Sequence, residues 1–591
     1  MSGMHLFSTL WIWPLLLAAL LALPAVRKGS GSLLVIALLP GWSLWGLAWT
    51  ATPLDWHQAW SFWLLGAHWR LDALSHAWLG LTLAVWTLAA LHSEVMVACN
   101  RARYAVFFLL SLSGSLLWVL AGDAVSFYLG FSLMSISAWG LVMHEGTPKA
   151  LRAGRWYLVL ALIGELVLFV GVVARAAETG TLRLADWQAL PGTDWVLLCL
   201  WLGLAIKAGV PLLHVWLPLA HPAAPVPASA VLSGVMIKAG VIGWWLLLPG
   251  QVLVETHWPQ AMLWLGLLTM LYGAVFGVMQ TDPKTLLAYS SISQMGWLIW
   301  GLGWVWQMGA PEVGMLWLSA FALHHALVKS GLFLSVGWLK AQSQMPGWQR
   351  TATWLGVGLL ALALAGVPLS SGDWVKTALK VQAAGVAHQV SGVGLWLGAL
   401  ATALLMGRFL MVLRTLDTLR PVQDAPDRAG LNPWVWLSWW LGIATAWGWF
   451  VWQIQAWGVG YAPSWLSGLT PLFVAVLLLW VWHRLRLRGP AVAPGDVLVW
   501  YEWLWHLLAR PLHQGHLRWH HWQQSWPRRL QTWYGRVACW FSRWHTRSAK
   551  AGRNAQSEWA WLMGAMMALV LILAWLLMSP FALDRLTFWV G

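Results

Sequence analysis

The chain holds 591 residues, 60% of them hydrophobic and only 9% charged. A soluble domain averages about 25% charged residues, so this is a polytopic membrane protein with little soluble mass. The net charge of +15 points to membrane orientation and lipid headgroups rather than nucleic acid, because the arginines lie in loops beside apolar spans.

Leu10–Leu23 is apolar, but Arg27 and Lys28 follow it rather than precede it, so it reads as a first transmembrane helix and not a cleaved signal. Stretches of spanning length fall near 7–25, 32–51, 72–91, 104–122, 124–143, 156–174, 194–212 and 228–248. Others fall near 260–279, 286–306, 314–337, 354–371, 394–413, 433–455, 468–483 and 558–579. The expectation is an all-α polytopic membrane protein of about sixteen transmembrane helices. Basic residues concentrate in alternate loops: Arg27 and Lys28; Arg101 and Arg103; Lys149, Arg152 and Arg155; Lys284; Lys340 and Arg350; Arg414, Arg420 and Arg428. The intervening loops carry few beyond Arg70, Arg175 and Arg183. That alternation predicts a plasma (inner) membrane protein with both termini outside the cytoplasm.

Between Arg484 and Ser557 there is no spanning run. Trp519, Trp522, Trp526, Leu530, Trp533, Val537, Trp540 and Trp544 recur there at steps of three and four, which puts them on one helix face. Arginines lie mostly off that stripe. The pattern predicts an interfacial helix against lipid headgroups, kinked at Pro527, bracing the bundle or a partner; the plainer alternative is a solvated connector.

The costliest residues are the ionisable ones inside spans. From Leu204 to Gly240 the chain carries Lys207 and Lys238 in apolar runs, with His214, His221 and five prolines between them. A lysine at the centre of a membrane helix costs roughly 2.5–3.5 kcal/mol on insertion scales. Proline breaks the helix ladder, which lipid tolerates only where protein or water satisfies the freed groups. Lys207 lies about thirteen residues into its span and Lys238 about ten, near mid-depth at 1.5 Å per residue, so the alternative of snorkelling to an interface is weak. A buried lysine can alternate between charged and neutral forms, as a proton relay requires.

Lys329 lies mid-span one helical turn after His325, a pair that could pass a proton through one water, unless His325 is merely bonded to a backbone carbonyl. Gly366–Lys376, GVPLSSGDWVK, is a second helix break with a lysine after it; two separated breaks suggest paired repeats in a transporter. Asp373 either pairs with Lys376 or caps the restarted helix, and Lys380 follows on the same segment. Glu165, in ALIGELVLF, either pairs with a buried lysine or sits protonated against a neighbouring helix; the first is favoured. Cys99, Cys199 and Cys539 are isolated, and no glycine-rich phosphate loop is visible. No cofactor or metal is therefore expected, and no nucleotide-driven or redox chemistry from this chain alone.

The stretch KAGVPLLHVWLPLAHPAAPVPASAVLSGVMIKAG closely resembles the antiporter-like membrane subunits of respiratory complex I and Mrp-type cation/proton antiporters. Its HPAAP…SGVMIK wording looks most like the hydrogenase-4 component B and formate hydrogenlyase branch. Thr281–Gly296, His325–Phe333, GVPLSSGDWVK and, more weakly, Arg70–Trp78 add to the resemblance, which covers roughly residues 70 to 415. The resemblance implies two inverted five-helix repeats, each with one broken helix, around a hydrophilic axis. The chain would then divide into N-terminal helices (1–103), a first repeat (104–248), a second (260–415), further helices (433–483), a lateral-helix region on the cytoplasmic side (484–557) and an anchor helix (558–591). By resemblance Lys207 and Lys238 match the family's first-half lysines, and Lys329 and Lys376 those of the second half. The family's glutamate on the fifth helix is replaced by Ser132 in FYLGFSLMS, and Glu165, one helix later, is the candidate substitute.

The leading functional expectation is a proton-translocating subunit driven by a redox or substrate-capturing module within a membrane complex. The others are an Mrp-type monovalent cation/proton antiporter component and a membrane scaffold that has lost transport.

Overall fold

A computed structural model describes residues 6–51, 54–60, 65–309, 311–340, 345–384, 389–419, 432–456, 465–485, 492–498 and 501. Met1–Asp496 forms one compact unit, and the architecture below is that of this unit. The tryptophan-striped helix and the final anchor expected from the sequence lie outside the described residues.

The chain begins with α1 (Leu6–Leu20), α2 (Ser30–Ile36) and α3 (Leu39–Ala48). An antiparallel hairpin follows, β1 (Asp55–Trp60) and β2 (Ala67–Asp72), with Asp55 opposite Asp72 and Trp60 opposite Ala67. The hairpin adds two short strands to the helical fold expected from the sequence. Its signal is the alternation of β2, in which Ala67, Trp69 and Leu71 are buried and His68, Arg70 and Asp72 are not. Asp123 ties it down: its carboxylate accepts from the His68 backbone N–H at 2.7 Å while capping the next helix through Ser126. Burial raises the Asp123 carboxyl above its ordinary range, against the hydrogen bonds from Ser126 and His68.

Long helices then pack in sequence: α4 (Ala73–Met96), α5 (Arg101–Leu120), α6 (Ala124–Val142), α7 (Pro148–Thr179), the short α8 (Leu184–Ala189) and α9 (Asp194–Ala208). Arg175, expected in a loop, is instead a buried residue of α7. Its guanidinium donates to the carbonyls of Trp187 and Leu190 and so closes the C-terminal end of α8. After α9 come α10 (Trp216–Ala223), α11 (Val226–Val231), a π-helical stretch (Leu232–Met236) and α12 (Lys238–Leu247). The second half holds α13 (Trp258–Val278), α14 (Pro283–Met308), α15 (Pro311–Lys340), α16 (Gly347–Ala365), α17 (Ser371–Ala384), α18 (Gln389–Leu419), α19 (Pro433–Ala456) and α20 (Trp465–Arg484). Nine helical stretches among the described residues are long and apolar enough to cross a membrane.

The two breaks share one design. Each reads Gly-Val-Pro-Leu, at 209–212 and at 366–369. Gly209 (φ 74°) and Gly366 (φ 87°) end α9 and α16 in the left-handed region, where glycine avoids the Cβ clash. Val210 and Val367 donate back across the break to Ala205 and Leu362, and Leu213 and Ser370 donate to Val210 and Val367. Leu212 (φ 72°) and Leu369 (φ 70°) are both left-handed as well, a conformation that leucine rarely adopts. A Cβ on Gly366 would lie 3.3 Å from Lys376 Cδ and 3.5 Å from its Nζ. Gly366→Ala should therefore combine about 1–2 kcal/mol of left-handed strain with displacement of the lysine. The expected outcome is a lowered unfolding midpoint in detergent; an unchanged midpoint would contradict this account of the break.

Candidate functional site

The site is a row of buried ionisable side chains carried by α7, α9, α12, α15 and α17. In the first half, Lys207 occupies the last turn of α9, just before Gly209, and is 5% exposed. Its Nζ donates to Tyr157 Oη of α7 at 3.1 Å. It also stands 5.3 Å from the Tyr157 ring centre and 5.2 Å from that of Trp216, a cation–π cage spanning both sides of the break. Tyr157 Oη donates a hydrogen bond to Ser135 O at 2.9 Å, and Trp216 Nε1 donates to Ile206 O at 2.7 Å, so the cage is fixed. Glu165 lies about two turns further along α7. It is buried, with Ser132 and Ser135 of α6 as polar neighbours and Lys207 as its charged neighbour. Glu165 Oε1 and Ser132 Oγ have no hydrogen-bond partner among the described residues. The acid thus faces the position at which the resemblance leads one to expect a glutamate.

Lys238 is fully buried at the start of α12. Its Nζ donates to Ser233 O at 3.0 Å and Gly234 O at 2.5 Å, the carbonyls of the π-helical stretch one turn before it. A π-turn shifts the backbone ladder and is frequent at functional positions for that reason. Lys238 is in turn a charged neighbour of His324, His325 and Lys329 on α15.

Lys329 donates to Leu287 O of α14 at 2.7 Å and lies 5.8 Å from the Phe333 ring centre. His325, one turn earlier, is fully buried, and neither ring nitrogen has a hydrogen-bond partner among the described residues. His324 meets Ser371 Oγ at 2.7 Å and has Lys376 as a charged neighbour. Lys376 Nζ donates to Leu364 O (2.7 Å) and Ala365 O (3.3 Å), two of the carbonyls freed where α16 ends. The Asp373 backbone N–H donates to Ser370 Oγ at 3.2 Å, and its carboxylate accepts from Thr377 Oγ1 at 3.0 Å. Lys380 lies on α17, and its side chain is outside the described residues.

Two of the sequence candidates lie on the break itself. His221, in α10, stacks on Phe333 with ring centres 4.6 Å apart and has Lys284 and Lys329 as charged neighbours. His214, between α9 and α10, pairs through Nε2 with Asp496 Oδ1 at 2.9 Å.

Sequence reasoning missed four participants. Lys284 was assigned to a loop, but it sits in the first turn of α14, is 5% exposed and donates to Ala224 O where α10 ends. The Asp282–Pro283 helix start was the signal that could have moved it inside. His324 was overshadowed by His325 beside it. Tyr157 carries no charge to flag it. Asp496 is remote in sequence from the residues it meets, 282 positions after His214.

Residues 121–397 match the family described as NADH:quinone oxidoreductase/Mrp antiporter, TM. An uncharacterized protein of Mycobacterium tuberculosis is 33% identical over 359 residues, covering 56% of this chain and 55% of that one. Hydrogenase-4 component B of Escherichia coli is 32% identical over 290 residues, covering 45% of this chain and 42% of that one. The chain thus spans about half the length of the curated relatives it matches. Among solved structures, the Mrp complex from Dietzia sp. DQ12-45-1b aligns with a TM-score of 0.69 at 23% identity, covering 86% of this chain and 60% of that chain, a likeness of fold.

Proposed function

We propose that this chain, which carries the membrane domain of the NADH:quinone oxidoreductase/Mrp antiporter family over residues 121–397, is a proton-translocating subunit of a multi-subunit membrane complex. The observation that carries this reading is the succession of buried groups from Glu165 through Lys207, and from Lys238 through His325 and His324 to Lys376, across both halves of the fold. Neighbouring ammonium groups in a low-dielectric interior repel one another, so a proton added to one favours release from the next. Glu165 supplies a group of the opposite sign beside Lys207.

The repeated Gly-Val-Pro-Leu breaks support two inverted five-helix repeats within a bundle of about sixteen helices. The alternating basic loops support a plasma-membrane location with both termini outside. Other membrane subunits and a driving module, redox or substrate-capturing, would be its partners, with lipid headgroups along the region 484–557. A second reading is favoured by the likeness to the Mrp complex fold: exchange of a monovalent cation for protons.

Lys207→Ala and Lys238→Ala in the complete complex, reconstituted in vesicles with a pH-sensitive dye, should each abolish coupled proton flux with assembly intact. Normal flux in both overturns the proposal, and flux that requires sodium or potassium selects the exchange reading. The role given to Glu165 has its own test. Glu165→Ala should lose most flux, and adding Ser132→Glu in the same chain should restore it, because the two positions face one another; failure of the pair to recover shows that Glu165 does not replace the missing glutamate.

A further inference from the structure

Asp496 closes a cluster that the lysine axis does not use. Its carboxylate meets three groups from separate elements. His214 Nε2 from the first break lies 2.9 Å from Oδ1; Tyr289 Oη of α14 donates to Oδ1 at 2.9 Å; and Tyr272 Oη of α13 donates to Oδ2. These are the titratable groups that face it. The Asp496 side chain is 4% exposed and that of His214 is 0% exposed. The short segment that carries Asp496 is nevertheless open to solvent at Ala493 and Pro494.

The internal duplication makes this pairing informative. His214 stands five residues after the glycine of the first break, and Ser371 stands five residues after the glycine of the second. Ser371 is held by His324 of the axis itself. The first break instead takes its partner from a segment 282 residues away. That partner is an ionisable acid, next to the surface, on the side that the loop charges place toward the cytoplasm. Tyr289 lies about 9 Å along α14 from Pro283 at 1.5 Å per residue, which sets the carboxylate below the membrane boundary. His214 Nδ1, the other ring nitrogen, is buried with no hydrogen-bond partner among the described residues. Two residues further on, Trp216 forms the cage of Lys207.

We propose that Asp496 and His214 form a proton-uptake dyad serving the first broken helix. Water at the exposed loop protonates Asp496. The Asp496 carboxyl donates that proton to bare His214 Nε2, and Nδ1 gives its own proton to a water molecule on the inner side, leaving the Nε2–H tautomer. Water then takes the proton from Nε2 and returns one to Nδ1, which resets the tautomer before the next proton arrives. Tyr272 and Tyr289 hold the carboxylate in place and are positioning residues.

The inference rests on the proton-translocation reading, so its test runs beside Lys238→Ala in the complete complex. In vesicles, Asp496→Asn should assemble and lose proton flux by about a hundredfold or more, in the range of a general acid–base group. Asp496→Glu should keep most flux, and formate should restore flux to Asp496→Ala, a rescue that a merely structural residue would not show. Unreduced flux in Asp496→Asn, or no response of Asp496→Ala to formate, overturns the dyad while a dead Lys238→Ala leaves the axis standing; flux in Lys238→Ala refutes the axis itself. If the Asp496 variants fail to assemble, a lipophilic carbodiimide on the unsubstituted complex decides: modification of Asp496 with parallel loss of flux supports the dyad, and an unmodified Asp496 or undiminished flux overturns it.

Discussion

A lysine ammonium inside a bilayer needs oxygen atoms, and most carbonyls of an intact helix are already engaged in its ladder. This protein supplies most of them where helices end or slip, while Lys329 uses a carbonyl inside a regular helix, Leu287 O of α14. Lys376 takes the carbonyls at the end of α16, Lys284 the one at the end of α10, and Lys238 those of the π-helical stretch. Lys207 is handled differently, by a tyrosine hydroxyl and two aromatic faces. Backbone carbonyls, a hydroxyl and aromatic faces thus solvate these ammonium groups inside the bundle. A tight carboxylate partner would instead fix the charge and oppose release.

The same requirement explains the breaks. Proline and glycine would be defects in a helix that only had to span lipid, yet here the Gly-Val-Pro-Leu sequence recurs with matching backbone angles and matching hydrogen bonds. The strain held at Leu212 and Leu369 is of the kind that persists where the surrounding structure over-determines a segment. The halves then diverge. The first break is followed by a histidine tied to Asp496, the second by a serine tied to the axis histidine His324. The two breaks share one frame, and the residue five positions after each glycine, His214 or Ser371, sets what the break meets.

Lys207, Lys238, Lys329 and Lys376 were legible from the sequence because a charge in an apolar run has an energetic cost large enough to demand a reason. The breaks were legible for the same cause. The β1–β2 hairpin was not, since its tryptophans blend into apolar flanks and only the period-two burial of β2 marks it. Lys284 was hidden by its position just inside a helix start, where burial comes from packing and not from local hydropathy. Asp496 was beyond reach: no local pattern links an acid to a histidine hundreds of positions earlier. Glu165 was visible as a buried acid, but that it faces Ser132 depends on how α6 and α7 pack.

The central claim is that these lysines must release protons, not merely carry charge. Lys238→Arg tests it most directly, because an arginine keeps the positive charge and does not deprotonate in proteins. In the assembled complex the account predicts intact assembly with proton flux abolished. Flux at the level of the unsubstituted complex would contradict it, because a fixed charge would then suffice at Lys238.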